Sequence, residues 1–190
     1  DFQHILRVLA NAEMLAKKEK ADLDIVIPSA LFHDLVNYPK NSPKTLKASN
    51  HSAKETKKIL QKIKQFPKQK IKQVCYAIEC CSFSKAIIPK TLEAKILQDA
   101  DGLEAVGAIS IMRTFSSTGQ MKRAFFDAQD TFCRKRKPNS IKYGLDLFYT
   151  RLLVQHKRLH TKTAKKIAKH RTKFLHKFLK QLKKELSESK

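Results

Sequence analysis

The sequence predicts an all-α protein with a single domain, folded as one orthogonal helical bundle, and two observations predict this class. Apolar residues recur at spacings of three and four through long stretches, which is typical of amphipathic helices. The 190 residues include only 4 Gly and 6 Pro, which favours helices over many short strands. A chain of this length, 42% apolar, is long enough for one core. We therefore expect one domain over residues 1–186 and a frayed tail at 187–190.

The first two predicted helices are an amphipathic helix and an apolar helix, separated by a break. Residues 3–20 form the first helix, and residues 22–24 interrupt it. Pro28 suits the first turn of the second helix, which should run to about Val36. Residues 37–49 contain several helix breakers and predict a loop. The buried face of the first helix is predicted to contain Ile5, Val8, Leu9, Ala12, Leu15 and Ala16.

The middle of the chain predicts three helices separated by loops. Residues 51–64 read as an exposed basic helix, and Pro67 starts the next helix, which runs through Ile78. Residues 82–90 form a loop. Thr91 can then cap the helix that contains Asp101, because a threonine hydroxyl accepts a hydrogen bond from the first turn. The inward face of the basic helix is predicted to contain Ala53, Ile59, Leu60 and Ile63.

The C-terminal part predicts a buried segment, a long connection and two further helices. Residues 103–115 are almost continuously apolar and should be the most buried. Residues 116–119 open the connection, which is exposed at 134–140. Residues 145–153 are predicted to be helical, and the last helix covers about 162–186, with leucines at helical spacing and lysines opposite.

The net charge of +23 predicts a polyanionic partner. Residues 151–190 hold 14 Lys and Arg against two acids, so about half of the excess lies in the last fifth of the chain. Such a field attracts nucleotides, polyphosphate, nucleic acid or acidic membranes, although for any single lysine a solvated helix face is the simpler explanation. A membrane-surface helix is disfavoured, because Phe174, Leu175, Phe178 and Leu179 are better used in the core.

The sequence contains no apolar run long enough for a transmembrane helix and no visible signal peptide, although residue 1 is Asp rather than Met. The cysteines have no zinc-finger spacing and predict reduced, partly buried thiols, so we expect a cytoplasmic protein. These cysteines are Cys75, Cys80, Cys81 and Cys133.

An adjacent His-Asp pair, His33-Asp34, lies inside an apolar stretch that is predicted to be helical. A buried charge needs a partner, and a divalent metal ion is the obvious one. His4, on the first amphipathic helix, and Asp101, on an apolar stripe with Leu97, fit the same interpretation. Two imidazoles and two carboxylates suit one Mn, Fe, Ni, Co or Mg ion, with Zn also open. A water bound to such an ion becomes acidic enough to act as a nucleophile.

Four motifs resemble the HD-domain metal-dependent phosphohydrolases, in particular the small stand-alone bacterial branch. They are the opening Gln3-His4, the segment from Phe32 to Asn41, the middle motif around Ser82-Phe83-Ser84, and Thr91 to Ala105. The resemblance implies an α-helical HD fold, a metal site at His4, His33, Asp34 and Asp101, and hydrolysis of a phosphoester or phosphoanhydride bond by a metal-activated water. Some members of this branch release pyrophosphate from nucleoside triphosphates, so a nucleotide or another phosphorylated small molecule is the expected substrate.

Two positions depart from the family pattern. Relatives usually have His where this chain has Cys81, and Arg where it has Gly102. If that His and Arg contact phosphate, this chain lacks a hydrogen-bond donor and a fixed positive charge, while the four expected ligands are kept. Metal binding is therefore a firmer expectation than any particular substrate.

Further site residues are predicted beside the ligands, each with a plainer alternative. Glu104 could orient a ligand or pair with a lysine, and Arg113 could reach phosphate or form a structural salt bridge. His51 opens an exposed helix, so we expect a surface or capping role, and the four histidines after residue 155 read as surface residues. The predicted catalytic residues are Asp34 and Glu104, and the predicted substrate-binding residues are Lys40, Asn41, Arg7 and Arg113.

A second function stays open: a weakened HD domain that binds nucleic acid or nucleotides through its basic last helix. The net charge and the two departures favour this function, and the intact ligand set opposes it. Substitution of Asp101 separates the two, because it should abolish catalysis and leave polyanion binding in place. A homo-oligomer is compatible with the sequence.

Overall fold

The computed structural model describes residues 2–39, 42–82 and 85–188. These residues form helices joined by loops, with one isolated β-bridge between Ala124 and Tyr143 and no strand within the described ranges. The prediction of an all-α fold is confirmed. The chain divides into two compact units, residues 1–103 with 159–164, and residues 104–158 with 165–190. The single domain that we expected stays a prediction.

Within the described residues, five α-helices lie wholly in the first unit, and the buried face of the first follows most of its predicted spacing. The first helix buries Val8, Ala12, Leu15 and Ala16, four of the six residues predicted for its inner face. Short 3-10 helices, Pro43–Lys47 and Lys68–Lys70, precede the third and fourth α-helices. The five are α1 (Phe2–Glu19), α2 (Leu23–Phe32), α3 (Ala48–Lys62), α4 (Ile71–Cys81) and α5 (Leu92–Gly102).

Helix α2 differs from its prediction at both ends. It starts five residues before Pro28, because the Asp22 side chain accepts a hydrogen bond from the Asp24 amide at 2.9 Å and caps the helix there. It ends at Phe32, so the expectation that His33-Asp34 lies within a helix is wrong. The pair instead forms the turn directly after α2.

The loop predicted for residues 37–49 is shorter than expected. Ser42 accepts a hydrogen bond from the Lys44 amide at 3.2 Å and caps the 3-10 helix Pro43–Lys47, and α3 follows at Ala48. Ala53 and Leu60 are buried on α3 as predicted, whereas Ile63 lies just past the helix end and is 41% exposed. Thr91 caps α5 through a hydrogen bond from the Ala94 amide at 3.3 Å, which confirms the predicted cap.

The second unit contains most of the last two α-helices, α6 (Ala108–Gln120) and α7 (Lys162–Glu188). Between them lie a π-helix, Phe148–Leu152, and a 3-10 helix, Gln155–Lys157. Phe148 is fully buried and stacks on Phe178 of α7, with ring centroids 5.6 Å apart. Residues 187 and 188 continue α7, and Ser189-Lys190 lie outside the described residues, so the frayed tail stays a prediction.

The apolar segment 103–115 is only partly as buried as predicted. Residues 103–107 are buried, but Met112 on α6 is 69% exposed. The N-cap of α6 is Gly107, whose φ of +89° is accessible mainly to glycine, and the helix that starts there buries a small polar face. That face consists of Ser110, Thr114 and Thr118. Helix α6 also continues to Gln120, through the residues that were predicted to open a loop.

Candidate metal centre

Three helices of the first unit bring the predicted ligands together at their ends. His4 lies in the first turn of α1, His33 and Asp34 follow the last residue of α2, and Asp101 is the penultimate residue of α5. His4 and His33 are buried, at 8% and 4% exposure. The Asp34 and Asp101 side chains are 45% and 29% exposed, so the cluster is closed on its imidazole side and open on its carboxylate side.

The distances within this cluster match those between ligands of one ion. His4 Nε2 lies 3.5 Å from Asp101 Oδ1 and 3.8 Å from Asp34 Oδ2, and His33 Nε2 lies 3.7 Å from Asp34 Oδ2. One ligand atom each from His4, His33 and Asp101 lie within 4.8 Å of one another. Atoms held about 2.1 Å from a shared ion are roughly 3.0 to 4.2 Å apart, so these residues fit a metal ion.

The two ring nitrogens of His33 differ in their hydrogen bonding to the described residues. Its Nδ1 lies 2.8 Å from the Ala30 carbonyl oxygen. Because a carbonyl only accepts, Nδ1 carries the proton and Nε2 presents a lone pair. Nε2 is buried and has no hydrogen-bond partner among the described residues. A buried lone pair without a donor is costly in an apo protein and is the expected state of a metal ligand whose other ring nitrogen is anchored to the backbone.

Cys81, one of the two departures from the family pattern, is a buried neutral thiol near this cluster. Burial raises its pKa well above the ordinary range, and the nearby carboxylates of Asp101 and Asp34 raise it further. A neutral thiol cannot replace the charge of a protonated histidine. Gly102, the other departure, is buried at the end of α5.

The remaining predicted site residues lie in different parts of the chain, and some of them are outside the described residues. Arg7 is half-buried on α1, one turn after His4. Lys40, Asn41 and the middle-motif residues Phe83-Ser84 lie outside the described residues. In the second unit, Arg113 Nη1 lies 3.2 Å from Oε2 of the buried Glu104, which is the structural salt bridge that was the alternative for Arg113. The catalytic role of Glu104 and the substrate-binding roles stay predictions.

Several polar contacts that fix this region were not predicted from the sequence. The Val36 amide donates to Ser52 Oγ at 3.0 Å, and the Tyr38 hydroxyl lies 2.7 Å from His51 Nδ1, so two bonds fasten the segment after His33-Asp34 to α3. His51 therefore has a partner within the fold, and it does not cap α3, because the N-cap is Lys47. A Ser or His at the start of a helix carries no signal of which loop it will meet.

Asp99 is a fully buried carboxylate on α5 that was not predicted as a site residue. It accepts hydrogen bonds from the His160 amide at 2.7 Å and from the Thr161 amide and hydroxyl, each at 2.7 Å. Burial raises the pKa of Asp99, and these three donors oppose that shift. The contact fixes the start of the α7 segment against α5, within the first unit.

None of the described helices combines the length and the hydropathy that a membrane span requires.

A model of the HD domain family matches residues 1–106 of the chain. The chain is 30% identical over 174 residues to YpgQ of Bacillus subtilis, covering 88% of this chain and 75% of YpgQ. The crystal structure of YpgQ in complex with ADP has a TM-score of 0.73 at 26% identity and covers 97% of this chain and 86% of that one.

Two further solved structures are similar. Lin1889 of Listeria innocua is 33% identical with a TM-score of 0.73, over 98% of this chain and 88% of that one. An HD-superfamily hydrolase of Bacillus thuringiensis is 28% identical with a TM-score of 0.75, over 98% of this chain and 86% of that one.

Proposed function

The chain belongs to the HD domain family, and from this premise we propose that it is a metal-dependent phosphohydrolase that acts on nucleotides. One observation carries the proposal: the buried Nε2 of His33 has no hydrogen-bond partner in the part of the chain that the structure describes, and it lies beside the ligand atoms of His4 and Asp101. A nucleotide substrate is supported by the ADP in the YpgQ complex and by the charge of +23. The cytoplasm is the proposed compartment, since all four cysteines are free thiols.

The proposed metal ligands are His4, His33, Asp34 and Asp101. Their mixed nitrogen and oxygen donor set suits Mn²⁺, Fe²⁺, Co²⁺, Ni²⁺ or Mg²⁺. When bound, such an ion supplies Lewis acidity, which lowers the pKa of water and neutralises negative charge on phosphoryl oxygens.

The chain's own residues orient the ligands and handle the proton. The Ala30 carbonyl holds the Nδ1 proton of His33, which keeps Nε2 available as a lone pair. Asp34 is the most exposed of the four, and its Oδ2 lies within 3.8 Å of both imidazoles. We assign it the acceptor role for the proton released by the attacking water. A substrate phosphate would enter from the open, carboxylate side of the cluster.

Hydrolysis of a nucleotide panel, with each candidate metal added in turn, tests this function. Asp101→Asn should abolish metal-dependent release of phosphate or pyrophosphate. The matched control is Asp24→Asn, which removes a 62% exposed carboxylate from the same unit and should leave turnover unchanged. Pyrophosphate release would identify cleavage of a nucleoside triphosphate to the monophosphate. Turnover that is equal in both variants would refute the proposal, and so would wild-type protein inactive with every metal.

A second candidate function, binding of nucleic acid, is favoured by a stripe of lysines on α7. At 100° per residue the stripe lies within an arc of about 80° and extends about 27 Å along the helix. All of its lysines are exposed, while Leu175 on the opposite face is fully buried. An extended row of ammonium groups matches a linear phosphate backbone, although the stripe lacks the aromatic residues that stack on bases. The stripe consists of Lys166, Lys169, Lys173, Lys177, Lys180 and Lys184.

Salt-dependent binding of a single-stranded oligonucleotide tests this candidate. Four Lys→Gln substitutions in the stripe, at 169, 173, 177 and 180, should reduce the salt slope by about 3, or about 0.7 per lost contact. The control replaces the exposed Lys18, Lys54, Lys64 and Lys72 of the first unit and removes the same charge. Equal reductions of the salt slope in both sets would show that the stripe acts only through the net charge. Homo-oligomer formation stays a prediction.

A further inference from the structure

An open cleft of about 720 Å³ lies beside the start of α3 in the first unit. Its volume is in the range of small-molecule sites in proteins. None of the residues that line it belongs to the candidate metal centre. The lining residues are Leu46, Lys47, Asn50, His51, Lys85 and Ile87.

The polar groups that line this cleft favour an anion. They comprise two ammonium groups, one imidazole and one amide, and no carboxylate is among the described lining residues. The Lys85 ammonium contacts the Asn50 side-chain oxygen and lies 3.5 Å from the Glu79 carbonyl oxygen. Both partners are neutral, so they orient the ammonium group without cancelling its charge. The Asn50 oxygen accepts from Lys85, and the two N–H donors of this amide have no hydrogen bond to the described residues, so they can donate to a ligand.

The wall of the cleft is held by contacts to the segment that follows His33-Asp34. The Tyr38 hydroxyl lies 2.7 Å from His51 Nδ1, and the neighbouring Ser52 accepts from the Val36 amide at 3.0 Å. The imidazole is therefore oriented before any ligand arrives, which lowers the entropy that binding costs.

Apolar surface in the same cleft is exposed to solvent. Leu46 is 57% exposed and Ile87 is 39% exposed. A simple inorganic anion would leave these side chains in water, whereas a ligand that joins phosphate to an apolar ring would cover them. We propose that this cleft binds a phosphorylated nucleoside, with its phosphates on Lys47, Lys85 and Asn50 and its base on Leu46 and Ile87. None of the described lining residues is a proposed metal ligand, and the proposal does not depend on the phosphohydrolase function.

Calorimetric titration with ADP in the presence of EDTA tests the proposal, because chelation removes any metal-dependent binding. Lys47→Gln with Lys85→Gln should weaken ADP binding by at least about tenfold. The matched control is Lys54→Gln with Lys72→Gln, two exposed lysines outside the cleft, and it should change the affinity by less than about twofold. His33→Ala should bind ADP as the wild type does.

Pyrophosphate in place of ADP tests the nucleoside part of the proposal. Leu46→Ser should weaken binding of ADP and leave binding of pyrophosphate unchanged. Equal weakening by both lysine pairs, loss of ADP binding in His33→Ala, or equal affinity of the wild type for ADP and pyrophosphate would overturn the assignment. Because these measurements exclude metal and turnover, failure here is distinct from failure of the phosphohydrolase proposal.

Discussion

In the second unit, the fully buried carboxylate of Asp146 accepts hydrogen bonds from Arg136 Nη1 and Nη2 at 2.5 and 2.9 Å and from the Asn139 amide at 2.6 Å. In the first unit, buried His33 Nε2 faces two other potential metal ligands and has no hydrogen-bond partner among the described residues. Burial by itself would raise the pKa of Asp146, but the donors outweigh burial and lower it.

The contrast separates a polar cluster that maintains the fold from one that is arranged for a ligand. A buried carboxylate with a full set of donors leaves nothing for a ligand to contribute. A cluster of two imidazoles and two carboxylates, with one lone pair unmatched, gains its missing interaction only from a cation. The cost of the unmatched group in the apo protein is then recovered when the cation binds.

The largest expected effect on stability comes from breaking the Asp146 cluster of the second unit. Arg136→Met leaves the Asp146 carboxylate buried without its bidentate partner, and it should reduce the free energy of unfolding by about 3 kcal/mol. Urea denaturation measures the loss. Arg134→Met, at an exposed position two residues earlier, should change stability by less than about 0.5 kcal/mol. Similar effects of the two substitutions would show that the Asp146 cluster is not structural.

The candidate metal centre should respond in the opposite way. His33→Leu in EDTA removes the hydrogen bond to the Ala30 carbonyl and keeps a buried apolar side chain in place of the ring, so it should cost about 1 kcal/mol or less. A saturating metal at 100 times its dissociation constant should stabilise the wild type by about 2.7 kcal/mol and leave this variant unaffected. Thermal denaturation with and without Mn²⁺ checks both values. A large loss of stability in EDTA would mean that His33 is primarily structural.

Removal of the α5 cap should have a moderate effect on stability in the first unit. Thr91→Ala removes the hydroxyl that accepts from the Ala94 amide, and it should destabilise the protein by about 1 kcal/mol. Thr91→Ser keeps the acceptor and should restore stability. Urea denaturation of the three proteins is sufficient. If the Ser and Ala variants behave alike, the hydroxyl does not cap the helix.

The smallest expected effect is a local response to acid around Asp130. Hydrogen bonds from the backbone amides of Lys135 and Arg134, and then Arg136, lower the pKa of Asp130. Since its folded pKa lies below the unfolded value, the carboxylate stabilises the loop above the ordinary range for Asp and loses that contribution as the pH falls from about 4 towards 2. The protection of the amides of residues 134–136 against hydrogen exchange, relative to the intrinsic rate at each pH, should fall over that interval. Asp130→Asn should abolish the pH dependence, and a persistent dependence would contradict this assignment.

Much of the fold follows from the sequence, because apolar spacing and caps are local signals. For that reason the sequence predicted the Thr91 cap of α5 and most of the inner face of α1. The start of α2 was wrong because two local signals competed: Pro28 is compatible with a first turn, but the Asp22 side chain caps the helix five residues earlier. In residues 103–115, apolar residues are almost continuous, so their spacing could not identify which of them are buried.

The site was only partly predictable for a different reason. Residue types that bind metals identified His4, His33 and Asp101, which the structure brings together. The contacts of Tyr38 with His51 and of Asp99 with Thr161 join segments that are distant in the sequence and have no recognisable motif. Their identification required the tertiary structure.

Metal binding itself is the central claim, and titration of metal-stripped protein with Mn²⁺ tests it most directly. The predicted result is one ion bound per chain in the wild type and in Asp24→Asn. His33→Ala and Asp101→Asn should each weaken the affinity by more than about a hundredfold. The same affinity in all four proteins would contradict the assignment of this cluster as a metal centre.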